Sequence, residues 1–282
     1  MTMNPMRVVV GYDGSHDAEL AVRWAVDAVP ANGRTRITIV VVAGTSHGPL
    51  HAHRPAQETS IEAIRERAEL LAAQLGRGHV TVQVQHGSVP DELSATAEGS
   101  ALLVVGSRGH GAIEGELVGS VSQRLARYAP VPVVVVRPPR LPNPHRVFVG
   151  VNGSAASARA LRFAWSHAER MHHDLVAVHG YKPYPKAKGN LQDISTPATA
   201  QRIDEAEREA HRWVREVLDG LPIGAVEVEA ITVSPGQLLV DCSRAASLVV
   251  VGTRSRSFPD QVLGSVPQHV LAHAQCPVAL VH

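Results

Sequence analysis

Aromatic residues are scarce, at 4% of the 282 residues. A core built on Trp, Tyr and Phe is therefore excluded. Burial has to come from Val, Leu, Ile and Ala within a hydrophobic fraction of 44%. Cysteine is scarcer still: Cys242 and Cys276 are the two, both in the second half and without metal-ligand spacing. That argues against a disulfide-stapled secreted domain and leads us to expect a reducing cytoplasm. Surplus charge is missing too, with 27 basic residues against 26 acidic ones and a net of +1. Without a basic excess to neutralise a phosphate backbone, no nucleic-acid binding is expected. Long apolar runs are absent. Val131 to Val136 is one of the longest and falls far short of a membrane span. Met1 to Arg7 lacks the apolar stretch of a signal peptide. A soluble chain, not bound to membrane, is expected.

What the sequence does contain is itself, twice. Val8-Val9-Val10-Gly11-Tyr12-Asp13-Gly14-Ser15 returns as Val147-Phe148-Val149-Gly150-Val151-Asn152-Gly153-Ser154. Leu102-Leu103-Val104-Val105-Gly106-Ser107-Arg108 returns as Leu248-Val249-Val250-Val251-Gly252-Thr253-Arg254, and Gly119-Ser120-Val121 as Gly264-Ser265-Val266. The period is roughly that of a whole domain, so two folded units are expected rather than a solenoid. The expected organisation is a first domain over 1–138, a proline-rich linker over 139–145 and a second domain over 146–282. Pro138-Pro139-Arg140-Leu141-Pro142-Asn143-Pro144 marks the boundary, because it cannot continue a helix or an inner strand.

Within the first copy, β-branched apolar runs predict strands near 7–12, 37–43, 80–86, 101–106 and 132–136. Helices are predicted near 16–29, 60–75, 90–98 and 119–128, with Thr59 and Glu62 as a capping box for the second. Strictly alternating strands and helices imply an α/β fold: two tandem, doubly wound, five-stranded parallel sheets. Ligands of such sheets sit at the carboxyl ends of the strands. Three loops matter there: Tyr12 to Ser15, Gly44 to Glu58 and Ser107 to Leu117.

The third loop carries the chemistry. Gly106 ends a strand, Gly109 follows, and nine residues later Gly119-Ser120 opens a helix. Glycine lets a ligand approach the backbone closely. The first amides of the helix, at Ser120 and Val121, are unpaired donors at a positive dipole end. Arg108 and the Ser120 hydroxyl add further donors for phosphate or ribose. No G-x-x-x-x-G-K-[ST] loop is present, and Glu114 stands where a dinucleotide fingerprint needs its third glycine.

G-x2-G-x9-G-S after an apolar strand, together with V-G-x-D-G-S near the N-terminus, resembles the ATP-binding branch of the universal stress protein family. The tandem arrangement resembles it as well, and the likeness covers nearly the whole chain. The resemblance implies an adenine nucleotide α-hydrolase-like fold with ATP at the strand ends, accompanied by Mg2+. It places Gly11, Asp13 and the backbone near Val41 and Val42 at the adenine and ribose. Gly106, Arg108 and Gly109 would follow the ribose and phosphates, and Gly119, Ser120 and Val121 would hold the phosphate tail. A carboxylate beside a triphosphate is repelled, so Asp13 belongs at the sugar or base end. Asp13 also has a second reading as the Asx residue of a turn.

The second copy departs from this pattern. Asn152 replaces the Asp, Ser255 replaces the second Gly, and eight residues instead of nine precede Gly264. Its corresponding positions are Gly150, Gly252, Gly264, Ser265 and Val266, and weaker or absent ATP binding is expected there. The chain's 16 histidines include His51-Ala52-His53 and His172-His173, but neither cluster has the i, i+4 spacing of a zinc helix. No metal site is expected, nor is any catalytic triad. The favoured reading is an ATP-binding stress-response regulator that works through nucleotide-dependent conformation or assembly, with an unidentified protein partner. Family resemblance implies closing strands that meet edge to edge, pairing the domains within the chain, and a homodimer. The alternatives are an adenylating or slowly hydrolysing enzyme, and an interaction protein without nucleotide.

Overall fold

The computed structural model describes residues 6–30, 35–44, 55–75, 79–109, 118–142, 144–181, 197–219, 226–253 and 263–282. The chain divides into two compact units, Met1–Pro138 and Pro139–His282. The stretch read as a linker begins within the second unit, where the Arg140 amide donates to the Gln275 carbonyl at 3.0 Å.

The first unit runs β1 (Met6–Gly11), α1 (His16–Ala28), β2 (Thr35–Gly44), α2 (Pro55–Leu75), β3 (His79–Gly87), α3 (Val89–Ala97), β4 (Leu102–Gly106), α4 (Ser120–Tyr128) and β5 (Val133–Val136). Its strands lie in the order β3-β2-β1-β4-β5, and every pairing is parallel. Helices cover both faces: α1 packs beside α2, and α3 beside α4. The central strands are accordingly apolar on both sides. Val8, Val10, Ile39, Val40, Leu103 and Val104 have no exposed surface, as a doubly covered parallel sheet demands.

The second unit repeats the plan with β6 (Arg146–Gly150), α5 (Ala155–Met171), β7 (Asp174–Gly180), α6 (Pro197–Val217), β8 (Val226–Ile231), α7 (Pro235–Cys242), β9 (Ala246–Gly252), α8 (Ser265–His273) and β10 (Val278–Val281). Its order, β8-β7-β6-β9-β10, matches that of the first unit strand for strand. The expected α/β fold, two domains each with a five-stranded parallel sheet, is the fold observed.

One helix start differs. α2 begins at Pro55, ahead of Thr59, so Thr59 does not cap it. Proline is itself a favourable first helical residue. Glu62 turns instead to Arg65. Both cysteines are free thiols. No described helix is long and apolar enough to cross a membrane.

Candidate functional site

The strand order reverses direction at β1, whose neighbours are β2 on one side and β4 on the other. That reversal opens a crevice at the carboxyl ends of β1 and β4. The chain leaving β1 is shaped by Asp13-Gly14-Ser15. Asp13 Oδ1 accepts the Ser15 amide at 3.0 Å, Gly14 takes the left-handed φ of 81°, and Ser15 caps α1 by accepting the Ala18 amide at 3.2 Å. Asp13 therefore does form the turn. Its other oxygen, Oδ2, stands where a side chain at residue 109 would begin. A glycine at 109 is what admits the carboxylate.

Gly106 has a different cause. A Cβ there would lie 2.7 Å from the Asp17 carbonyl carbon and 2.9 Å from the Ala18 nitrogen. The glycine is needed because α1 crosses the end of β4, and Gly252 meets Ala156 at the same 2.7 Å in the second unit. Gly11 likewise accommodates Leu93, whose Cδ1 would come within 2.9 Å.

Asp17, which the sequence pattern does not single out, ties the β4–α4 loop down. This buried carboxylate accepts the Ser107 hydroxyl at 2.6 Å and the Arg108 amide at 3.1 Å. The Arg108 guanidinium lies 3.9 Å from the same oxygen. Ser122, also unremarked in the sequence, donates its hydroxyl to the Gly106 carbonyl at 2.8 Å. The Gly119 amide donates to the Ser107 carbonyl at 2.8 Å, which closes the loop's two ends. The Gly119 amide is thus spent on the loop itself, and the helix amides that follow it are those of Ser120 and Val121. The amides of Gly109, Ser120 and Val121 have no partner among the described residues.

These pieces enclose a cavity of about 230 Å3. Gly11, Val40, Val42, Val89 and Leu93 form an apolar end; Gly109, Gly119, Ser120 and Val121 form an end rich in amides; Asp13 and Arg108 stand on the wall. The Val40 carbonyl accepts the Tyr12 amide at 2.9 Å. Val42, two residues on, turns its backbone the same way, and β1 has already ended opposite it. The Val42 amide and carbonyl have no partner among the described residues, so they are free to meet the edge of a flat heterocycle. Tyr12 is 4% exposed, and its hydroxyl has no partner among the described residues. Burial, and then the Glu19 carboxylate, push that phenol above its ordinary range.

The second unit keeps the scaffold and loses the fittings. Asn152 Oδ1 accepts the Ser154 amide at 3.1 Å, Gly153 has φ 70°, and the Gly264 amide donates to the Thr253 carbonyl at 3.2 Å. The cavity, lined by Gly150, Gly252, Gly264, Ser265 and Val266 among others, measures about 130 Å3. Ala156 stands where Asp17 does and Pro267 where Ser122 does, so a carboxylate, a hydroxyl and one helix amide are gone. At the Val42 position stands Gly180, because Val233 to Pro235 passes so close that a Cβ would meet the Pro235 Cα at 2.7 Å. The expected contrast at Ser255 lies outside the described residues, as do the loop histidines His51 and His53.

A family model described as the universal stress protein family matches residues 5–137 and again 144–282. The chain belongs to the universal stress protein family. Among curated relatives, Universal stress protein Rv1996 of Mycobacterium tuberculosis is 32% identical over 299 aligned residues, covering 96% of this chain and 93% of the relative. A universal stress protein from Archaeoglobus fulgidus has the same fold, with a TM-score of 0.64 at 18% identity, over 100% of this chain and 99% of that one. A universal stress protein family protein from Arabidopsis thaliana, solved with AMP bound, aligns to 46% of this chain and 89% of its own at 18% identity and a TM-score of 0.34.

Proposed function

We propose that the first unit of this universal stress protein binds ATP, and that bound nucleotide sets a conformation or assembly, such as a homodimer, that a protein partner reads in a cytoplasmic stress response. The observation that carries this reading is the pairing, in one cavity, of an apolar end beside the unpartnered Val42 backbone with the unpartnered Ser120 and Val121 amides at the α4 N-terminus. The first suits a base, and the second an anion at a helix dipole. Asp13 lies on the wall between them, where a ribose hydroxyl can donate to it and a phosphate is kept away.

The cavity is smaller than the ~300 Å3 at which ligand pockets usually begin, so ATP would fill it and extend beyond it. Among the described residues, no group of three His, Cys, Asp or Glu side chains could hold a metal ion. Mg2+ would therefore ride on the phosphates, as it commonly does. No P-loop lysine is present to support fast phosphoryl transfer, which favours a regulator over a hydrolase. We further propose that the second unit binds nucleotide weakly or not at all.

Native mass spectrometry of gently purified full-length protein, followed by calorimetric titration with ATP, tests the proposal. Retained or titratable ATP at one per chain is the expected result. Release of AMP and pyrophosphate would favour an adenylating enzyme, and a chain that neither retains nor takes up ATP overturns the reading.

A further inference from the structure

Two of the chain's 16 histidines lie one turn apart on α8. His269 and His273 stand at i and i+4, which puts both side chains on one helix face. Their ring centroids are 4.4 Å apart, with planes tilted by 31°. His273 Nδ1 lies 2.9 Å from the His269 carbonyl oxygen. A carbonyl can only accept, so Nδ1 carries the proton of the neutral ring and Nε2 keeps its lone pair. Metal-bound imidazoles are held in this way, with one nitrogen on a backbone carbonyl and the other on the ion. The His269 ring is seated against α7, and its Cδ2 is 3.0 Å from where a side chain at Gly236 would begin. The glycine makes room for the ring, and the seat restricts its swing. His273 is exposed, which leaves the pair open to solvent.

We propose that His269 and His273 form a bidentate site for a late first-row divalent ion such as Zn2+, with water completing the coordination. Imidazole nitrogen suits Zn2+, Cu2+ and Ni2+, whereas Mg2+ and Ca2+ take oxygen. The spacing is the one by which two helical histidines share a zinc ion in H-E-x-x-H. With no set of three ligating side chains among the described residues, the ion is exchangeable rather than a closed structural zinc. The site belongs to one copy alone. The matching residues on α4 are Arg124 and Tyr128, and Arg124 is engaged with Asp91 at 2.8 Å. Nothing in this inference depends on the nucleotide.

Calorimetric titration of Zn2+ into the untagged full-length chain tests it, alongside His269→Ala, His273→Ala and, as control, the exposed helical His211→Ala. The wild type and the control should share one strongest binding event. Either α8 substitution should weaken that event by on the order of 100-fold, because the second imidazole acts at high effective concentration once the first has bound. His273 is exposed, so its removal leaves the packing against α7 in place, and unchanged thermal unfolding would verify this. A wild type that takes up no Zn2+, or a strongest event that survives either α8 substitution, overturns the proposal.

Discussion

The glycines of the β4–α4 motif look equivalent when written as letters, and side by side in space they are not. A Cβ at Gly106 would strike the α1 backbone at 2.7 Å, whereas one at Gly119 would find the Ser107 carbonyl at an ordinary 3.6 Å. Gly106→Ala is therefore expected to destabilise the first unit by about 1–3 kcal/mol through overpacking, read as a lower urea midpoint. Gly119→Ala should cost no more than the ~1 kcal/mol of a poorer N-cap and should act mainly on ATP affinity, because its methyl projects at the cavity rim. Equal stability losses would show that the two glycines do the same job. Asp17 makes the complementary case. It holds two charge-assisted hydrogen bonds, each contributing about 1.5–3 kcal/mol, so Asp17→Ala should lower both the urea midpoint and ATP affinity. Retention of full affinity would free the β4–α4 loop from dependence on it. The glycines and Asp13 were legible in the sequence because motif spacing reports them. Asp17 was not, since its partners Ser107 and Arg108 lie about ninety positions away and no local pattern joins them.

Whole elements were easier to read than individual contacts. Parallel strands buried on both faces must be continuously apolar, so β1, β2, β4 and β5 announce themselves as valine-rich runs. α2 starts ahead of its capping-box pattern at Thr59, because a proline four positions earlier serves as its first residue. α5 hides its most consequential residue, His167, which is 3% exposed and stacks on Phe163. Burial, and then the Arg170 charge, hold its imidazole down at about 3. The unfolded chain protonates the same ring near 6.5. Between those values the unfolded state binds the extra proton, so stability falls as pH drops through 6.5. At pH 5.5 the loss from His167 amounts to about 1.4 kcal/mol relative to neutral pH. His173, depressed by burial and then by His145, acts in the same direction. Urea midpoints of the wild type at pH 5.5 and 7.5 should show the decline, and His167→Gln should reduce it. An undiminished slope in that variant would assign the effect to other groups.

Duplication gave the molecule two copies of one frame, and the two copies are lined differently. Both units have the same strand order, the same Asx turn after the first strand and the same amide bond closing the last loop. They differ where side chains and space have to match a ligand: Asp17 against Ala156, Ser122 against Pro267, Val42 against Gly180, and about 230 Å3 against about 130 Å3. On the proposed reading, each difference weakens nucleotide binding in the second unit. The asymmetry should be visible amide by amide. At a free ATP concentration about 100 times Kd, binding adds roughly 2.7 kcal/mol to the state that holds it. Hydrogen exchange at the Ser120 and Val121 amides should then slow markedly, while Ser265 and Val266 keep the rate they have without nucleotide. Gly264→Ala should leave the amount of bound ATP unchanged. Slowing at both helix starts, together with two nucleotides per chain, would mean that the retained Gly264-Ser265-Val266 terminus suffices by itself and that the lost carboxylate, hydroxyl and space were never the determinants.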